Sequence, residues 1–135
     1  MPREIGPVDI ATFGSILLHL RDPFAALERS ASLVRERIVV TDMMPVPRRL
    51  SRAGLAQPLR RVRPGIVDRI LPDLEFVADP VTRTPVDTWW RISPRMIGRW
   101  LAVLGFPNQT TTYHDQVYRH PNPQAVPMFT VVAER

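Results

Sequence analysis

Apolar and polar positions change rhythm several times along the chain, and each rhythm predicts an element. Val8-Asp-Ile-Ala-Thr-Phe13 is a short β-compatible run that stops at Gly14. Asp22-Pro23 then reads as a helix start. The aspartate accepts a free amide N–H, and a proline at the first helical position loses no hydrogen bond. Phe24, Leu27, Ala31 and Val34 follow at helical spacing and share one face. Arg37-Ile-Val-Val-Thr41 is rich in β-branched residues and closes at Asp42-Met43-Met44. A strand, helix and strand of these lengths predict a parallel pair joined by a right-handed crossover.

From residue 43 to residue 88 that rhythm is lost. Seven prolines stand between Pro45 and Pro85. Gly65-Ile-Val-Asp-Arg-Ile-Leu71 predicts one short helix, ended by Pro72. So long an excursion inside a small domain is expected to serve as a lid or binding element, so residues 43–92 read as an insertion that covers something.

Order returns at Trp89. Ser93-Pro94 marks a second helix start. Met96, Ile97, Trp100, Leu101 and Leu104 fall on one face, and Gly105 supplies a left-handed cap. Gln109 to His114 and Met128 to Ala133 predict two strands, joined by a proline-containing connection from Arg119 to Pro127. The expected fold is α/β: parallel strands, a terminal antiparallel hairpin and helices on the faces. Ligands in such sheets bind beyond the C-terminal ends of the parallel strands. Phe13-Gly14-Ser15 and Asp42-Met43-Met44 occupy those positions.

Composition narrows the function. The chain has 135 residues, 44% hydrophobic and 23% charged, an ordinary mix for one globular domain. It has no cysteine, which removes disulfides, thiolate metal sites and a cysteine nucleophile. His19, His114 and His120 lack metal-ligand spacing, so no metal is expected. The longest apolar stretch, Ile16 to Leu20, is broken by His19 and is far short of a membrane span. Met1-Pro-Arg-Glu4 shows no basic region leading into an apolar run, and a cytoplasmic protein is the expectation.

The net charge of +5 raises the question of nucleic acid. All 18 basic residues are arginine, and lysine is absent. Together with the many Pro and Ala residues, this reads as coding bias from a GC-rich genome. A local cluster remains: Arg48, Arg49, Arg52, Arg60, Arg61, Arg63 and Arg69, with Asp68 the only acid among them. It is either a contact for an anionic partner or a solvated face.

The segment from Ile5 to Phe24, which contains Val8-Asp-Ile-Ala-Thr-Phe-Gly-Ser-Ile-Leu-Leu-His-Leu-Arg-Asp-Pro23, resembles the fourth strand and following helix of class I S-adenosylmethionine-dependent methyltransferases. Asp87-Thr-Trp-Trp-Arg-Ile-Ser-Pro94 with Leu104-Gly-Phe106 is similar to the double-tryptophan segment and fifth helix of one branch of that family. Tyr113-His-Asp-Gln116 and Phe129-Thr-Val-Val132 look like its last two strands. The resemblance implies a Rossmann-like sheet, S-adenosylmethionine as methyl donor, and a small-molecule or RNA acceptor. It also implies that residues 1–135 form the C-terminal half of such a domain. The family's first half carries a glycine-rich loop, whereas no two of the six glycines here form Gly-x-Gly. The fourth strand then lacks its neighbour and exposes an edge. The missing half, or a second copy of the chain, is the expected partner.

Methyl transfer from a sulfonium is a displacement, so alignment and exclusion of water matter most. By position, the resemblance gives Phe13, Gly14 and Ser15 to the methyl-bearing end of the cofactor; a tight turn needing Gly14 explains the same residues. His19 is a candidate catalytic base or acceptor contact, or else a hydrogen-bond donor to a backbone carbonyl. Trp89 and Trp90 are candidate walls of the acceptor pocket or ordinary core. Tyr113 and His114 are candidate acceptor contacts on opposite faces of one strand. Asp42 reads as a cofactor or substrate contact, a turn cap or an arginine partner. Two other functions compete: a non-catalytic interaction module using the exposed edge, and an arginine-rich nucleic-acid binder.

Overall fold

A computed structural model describes residues 5–45, 66, 69, 71–78, 81, 88–118 and 124–135. The elements are β1 (Val8–Gly14), a 3-10 turn (Leu17–His19), α1 (Pro23–Ala31), β2 (Val34–Met43), β3 (Leu74–Phe76), β4 (Trp90–Ile92), α2 (Pro94–Val103), β5 (Asn108–Tyr118) and β6 (Gln124–Glu134). The main sheet has the order β1-β2-β6-β5, and β3 pairs with β4 in a separate ribbon.

Both helices begin as the sequence dictates. Asp22 Oδ1 accepts the Ala25 amide at 2.9 Å and Ser93 Oγ accepts the Met96 amide at 3.0 Å, with Pro23 and Pro94 in the first helical positions. Gly105, at φ 92°, turns the chain out of α2 in the left-handed region where glycine carries no Cβ penalty. One boundary moves. Val34 is expected on the face of the first helix, but α1 ends at Ala31 and Val34 opens β2 opposite Val8. It is buried either way, because the base of the strand lies over the same core.

β1 and β2 are parallel, with α1 as their crossover. β6 is antiparallel to both β2 and β5 and lies between them. The hairpin strands are longer than expected, and Pro127 belongs to β6 opposite Asp115 rather than to the connection. Its ring is tolerated for a geometric reason. The ladder between β2 and β6 ends there, with a last bond from the Met44 amide to the Pro127 carbonyl at 2.9 Å, so the missing N–H costs only the end of that ladder.

Both helices pack on the same face of the sheet. Leu27 and Ala31 of α1 join Ile97 and Leu101 of α2 over Ile38, Val40, Phe129, Val131 and Ala133. The Phe24 and Trp100 rings meet edge to face at 5.7 Å between the helices. Full burial stabilises by about 1.5–3 kcal/mol per large apolar side chain, so this layer holds the fold. The opposite face shows the row Thr12, Val39, Val132 and Thr110, each half-buried or exposed. At the β1 edge, Ile10 is 49% exposed.

Candidate functional site

β1 and β2 finish side by side, and the residues expected to matter are found at that rim. Ser15, directly after β1, has φ 47°, a left-handed conformation that costs a serine energy. Its amide still donates to the Thr41 carbonyl at 2.8 Å, so the strained residue is clamped to β2. Strain of this kind concentrates at sites that use it. Gly14 is exposed, and a Cβ built there would meet nothing within 4 Å. Phe13, one residue earlier, is half-buried against the core.

Asp42 stands beside Ser15 at the end of β2. It is only 3% exposed, on the same face as Ile38 and Val40. One carboxylate oxygen accepts the Met43 amide at 2.7 Å. No arginine among the described residues pairs with it. Burial pushes its carboxyl up to about 6, partly offset by the Met43 bond. The register extends the row: Asp42 lies opposite Phe129 of β6, which lies opposite Tyr113 of β5. Tyr113 is half-buried against the core, whereas His114 is exposed on the other face.

The 3-10 turn brings the tryptophans to this end of the sheet. Its Leu17 and Leu18 are buried, and the Leu18 carbonyl accepts the Trp89 amide at 2.9 Å. Trp90 donates its indole N–H to the Arg21 carbonyl at 3.2 Å, and the Arg21 guanidinium lies 5.4 Å from the Trp89 ring centre. Phe76, 57% exposed, touches both tryptophans, at 6.2 Å from Trp89 and 5.1 Å from Trp90. His19 ends the turn with an exposed side chain that makes no hydrogen bond among the described residues. Phe13, Ser15, the tryptophans and Tyr113 therefore gather on one side and end of the sheet, and His114 is turned away from them.

Phe76 and Arg21 escaped the sequence reading. Leu74-Glu-Phe76 is too short a run, in proline-rich surroundings, to announce a strand. Its partner explains it: Glu75 pairs with Arg91 at 3.1 Å across the β3–β4 ribbon. The ribbon is anchored by Asp73, which accepts from Arg95 at 2.7 Å, from Ser93 at 3.3 Å and from Arg99 at 3.3 Å. These partners, Arg95 first, hold its carboxyl below the usual range. Of the arginine cluster, only Arg69 lies within the described residues, with its carbonyl accepting from Arg95. Arg48, Arg49, Arg52, Arg60, Arg61 and Arg63 lie outside them, as does His120, and of the expected Gly65–Leu71 helix only Ile66, Arg69 and Leu71 are described. No described helix is long and apolar enough to cross a membrane.

No protein-family model and no curated protein matches the chain. Solved structures do. Magnesium protoporphyrin IX methyltransferase from Synechocystis PCC 6803, with SAH bound, aligns over 98% of this chain at 15% identity and a TM-score of 0.50. The N-terminal domain of EvdMO1, also with SAH bound, aligns over 96% at 14% identity and a TM-score of 0.53. A SAM-dependent methyltransferase from Methanosarcina mazei aligns over 100% at 8% identity and a TM-score of 0.52. The chain spans 47% of the length of the first two and 62% of the third. Its α/β fold is thus that of part of a methyltransferase domain.

The residues present do not fit the nucleotide end of a bound methyl donor. The sequence holds no Gly-x-Gly turn. Gly14, the glycine at the rim, borders open space rather than a surface that a Cβ would fill. What the rim does hold is a strained serine, a buried carboxyl and an aromatic wall.

Proposed function

We propose that this chain forms the acceptor side of an S-adenosylmethionine-dependent methyltransferase acting on a small molecule or an RNA, in the double-tryptophan branch of the family. The donor's nucleotide end would rest on residues outside these 135, in the same polypeptide or a partner. The supporting observation is the topology. The order β1-β2-β6-β5 with a reversed β6 aligns over nearly the whole chain with methyltransferases of about twice its length. In this reading Phe13, Gly14 and Ser15 border the methyl-bearing end, while Trp89, Trp90 and Tyr113 wall the acceptor and exclude water. His19 accepts a proton where the acceptor must lose one; His114 contacts the acceptor only if the acceptor reaches the other face. Residues 43–92 serve as the lid over this end. The reading places the protein in the cytoplasm.

Calorimetric titration of S-adenosylmethionine into the purified chain tests the division of labour. Little or no heat is expected, and tight binding by the chain alone would overturn it.

The exposed β1 edge favours a second reading, an interaction module that recruits a partner strand or a second copy. Light scattering would then report a discrete oligomer; a monomer at high concentration argues against it. Nucleic-acid binding through the arginine cluster would show as affinity that falls steeply with salt.

A further inference from the structure

Charged side chains buried in proteins are paired, because an unpaired charge loses its hydration without compensation. Asp42 breaks that pattern in a chain with 18 arginines. It is 3% exposed, and its only hydrogen bond among the described residues comes from the next amide in the chain. That leaves one carboxylate oxygen without a partner. No described cation acts on it: its carboxyl is perturbed only by burial and by the Met43 N–H. It lies at the C-terminal end of a parallel strand, where α/β sheets take ligands, next to a serine held in a strained conformation. Its row continues through the Phe129 and Tyr113 rings.

From this arrangement we infer that Asp42 is the anchor for a cationic nitrogen on an aromatic acceptor, an ammonium or amidinium whose charge completes the pair. The inference rests on reading this rim as the acceptor side, and it names the class of acceptor. The protein supplies the anion and the apolar wall, and the ligand brings the missing cation. A neutral or anionic acceptor would leave the carboxylate stranded. Asp42 is a binding residue in this scheme and takes no proton.

The probe is benzylammonium, with benzyl alcohol as the uncharged control, titrated into the full chain and followed by amide chemical shifts at Ser15, Met43 and Phe129. Benzylammonium should bind and shift these resonances, and Asp42→Asn should weaken it about tenfold or more, the range of a charge-assisted hydrogen bond. Benzyl alcohol should bind weakly and equally to both. A second measurement follows the affinity with pH. Wild-type affinity for benzylammonium should rise about tenfold from pH 5 to pH 7, as the carboxyl at about 6 ionises. The neighbouring strands bring Ser15, Phe129 and Tyr113 alongside Asp42. The slope is compared with that of Asp42→Asn, which keeps His19, His114 and Tyr113.

Equal affinity in wild type and variant, a flat pH profile, or no binding at millimolar benzylammonium would overturn the inference. Failure of the methyl-transfer reading looks different. A chain that holds benzylammonium through Asp42 but joins no methyl-transferring assembly retains this site and loses the proposed function. Methyl transfer with binding indifferent to Asp42 does the reverse.

Discussion

Two aspartates, one partly exposed beside the β3–β4 ribbon and one buried at the rim of the main sheet, stand in opposite surroundings. Asp73, at the foot of the β3–β4 ribbon, is ringed by Arg95, Arg99 and Ser93 and is held ionised. Asp42, at the rim of the main sheet, has one backbone N–H and, among the described residues, no cation. The first tethers a ribbon to a helix. The second weakens the fold at neutral pH, and among the described residues only the Met43 amide favours its charge. Residues that cost stability are where a fold keeps what it needs for binding.

The largest expected effect comes from removing the unpaired charge. Because burial raises the Asp42 carboxyl to about 6, wild-type stability is greatest below the unfolded value near 3.8 and falls as pH rises through about 6. Asp42→Asn should therefore gain about 2–3 kcal/mol over wild type at pH 8, and almost nothing at pH 4. Urea unfolding at the two pH values checks this. If the variant is less stable at pH 8, the contrast between the aspartates is wrong.

Asp73→Asn should act in the other direction and more weakly. It removes an acceptor from two partly exposed arginines and the buried Ser93, a loss on the order of 1 kcal/mol at pH 7. Since its carboxyl lies below the usual range, its contribution is present above the unfolded value and disappears as pH falls through the folded one. The difference between wild type and variant should shrink accordingly in acid, which a pH series of melts would show.

Ser15→Gly removes the cost of a left-handed serine and should raise stability by about 0.5–1 kcal/mol in thermal unfolding. A loss instead would mean that the Ser15 side chain contributes more than its backbone costs. The smallest effect belongs to Asp9, whose pair with Arg35 is 3.6 Å long and 65% exposed on both sides. Asp9→Asn should change stability by less than about 0.5 kcal/mol, and raised salt should erase even that.

Much of the scaffold was legible in the sequence because its signals are local. Asp22-Pro23, Ser93-Pro94 and Gly105 are capping chemistry confined to a few residues, and each acts as expected. β-branched runs located β1 and β2. What escaped depends on partners far along the chain. Val34 satisfies both a helical and a strand pattern, and only the pairing with Val8 decides between them. Pro127 argues against a strand until one sees that the neighbouring ladder ends there. The β3–β4 ribbon is held by Glu75–Arg91 and by Asp73, contacts between residues too far apart for any local rhythm to reveal. At the rim, position relative to the sheet picked out Phe13 to Ser15 and Asp42. That Asp42 is buried with no cation beside it among the described residues could be learned only from the packed structure.

The place of β6 has a further consequence for how the molecule comes into being. It is the latest of these strands to leave the ribosome, yet it sits between β2 and β5 and supplies Phe129, Val131 and Ala133 to the packed layer. Until it emerges, β5 has no strand to pair with, and of the main sheet the nascent chain can form only the β1–β2 unit with its crossover helix. Closure of the sheet must therefore wait for β6, and a ribosome stalled before residue 124 would hold a chain whose two halves have not yet met.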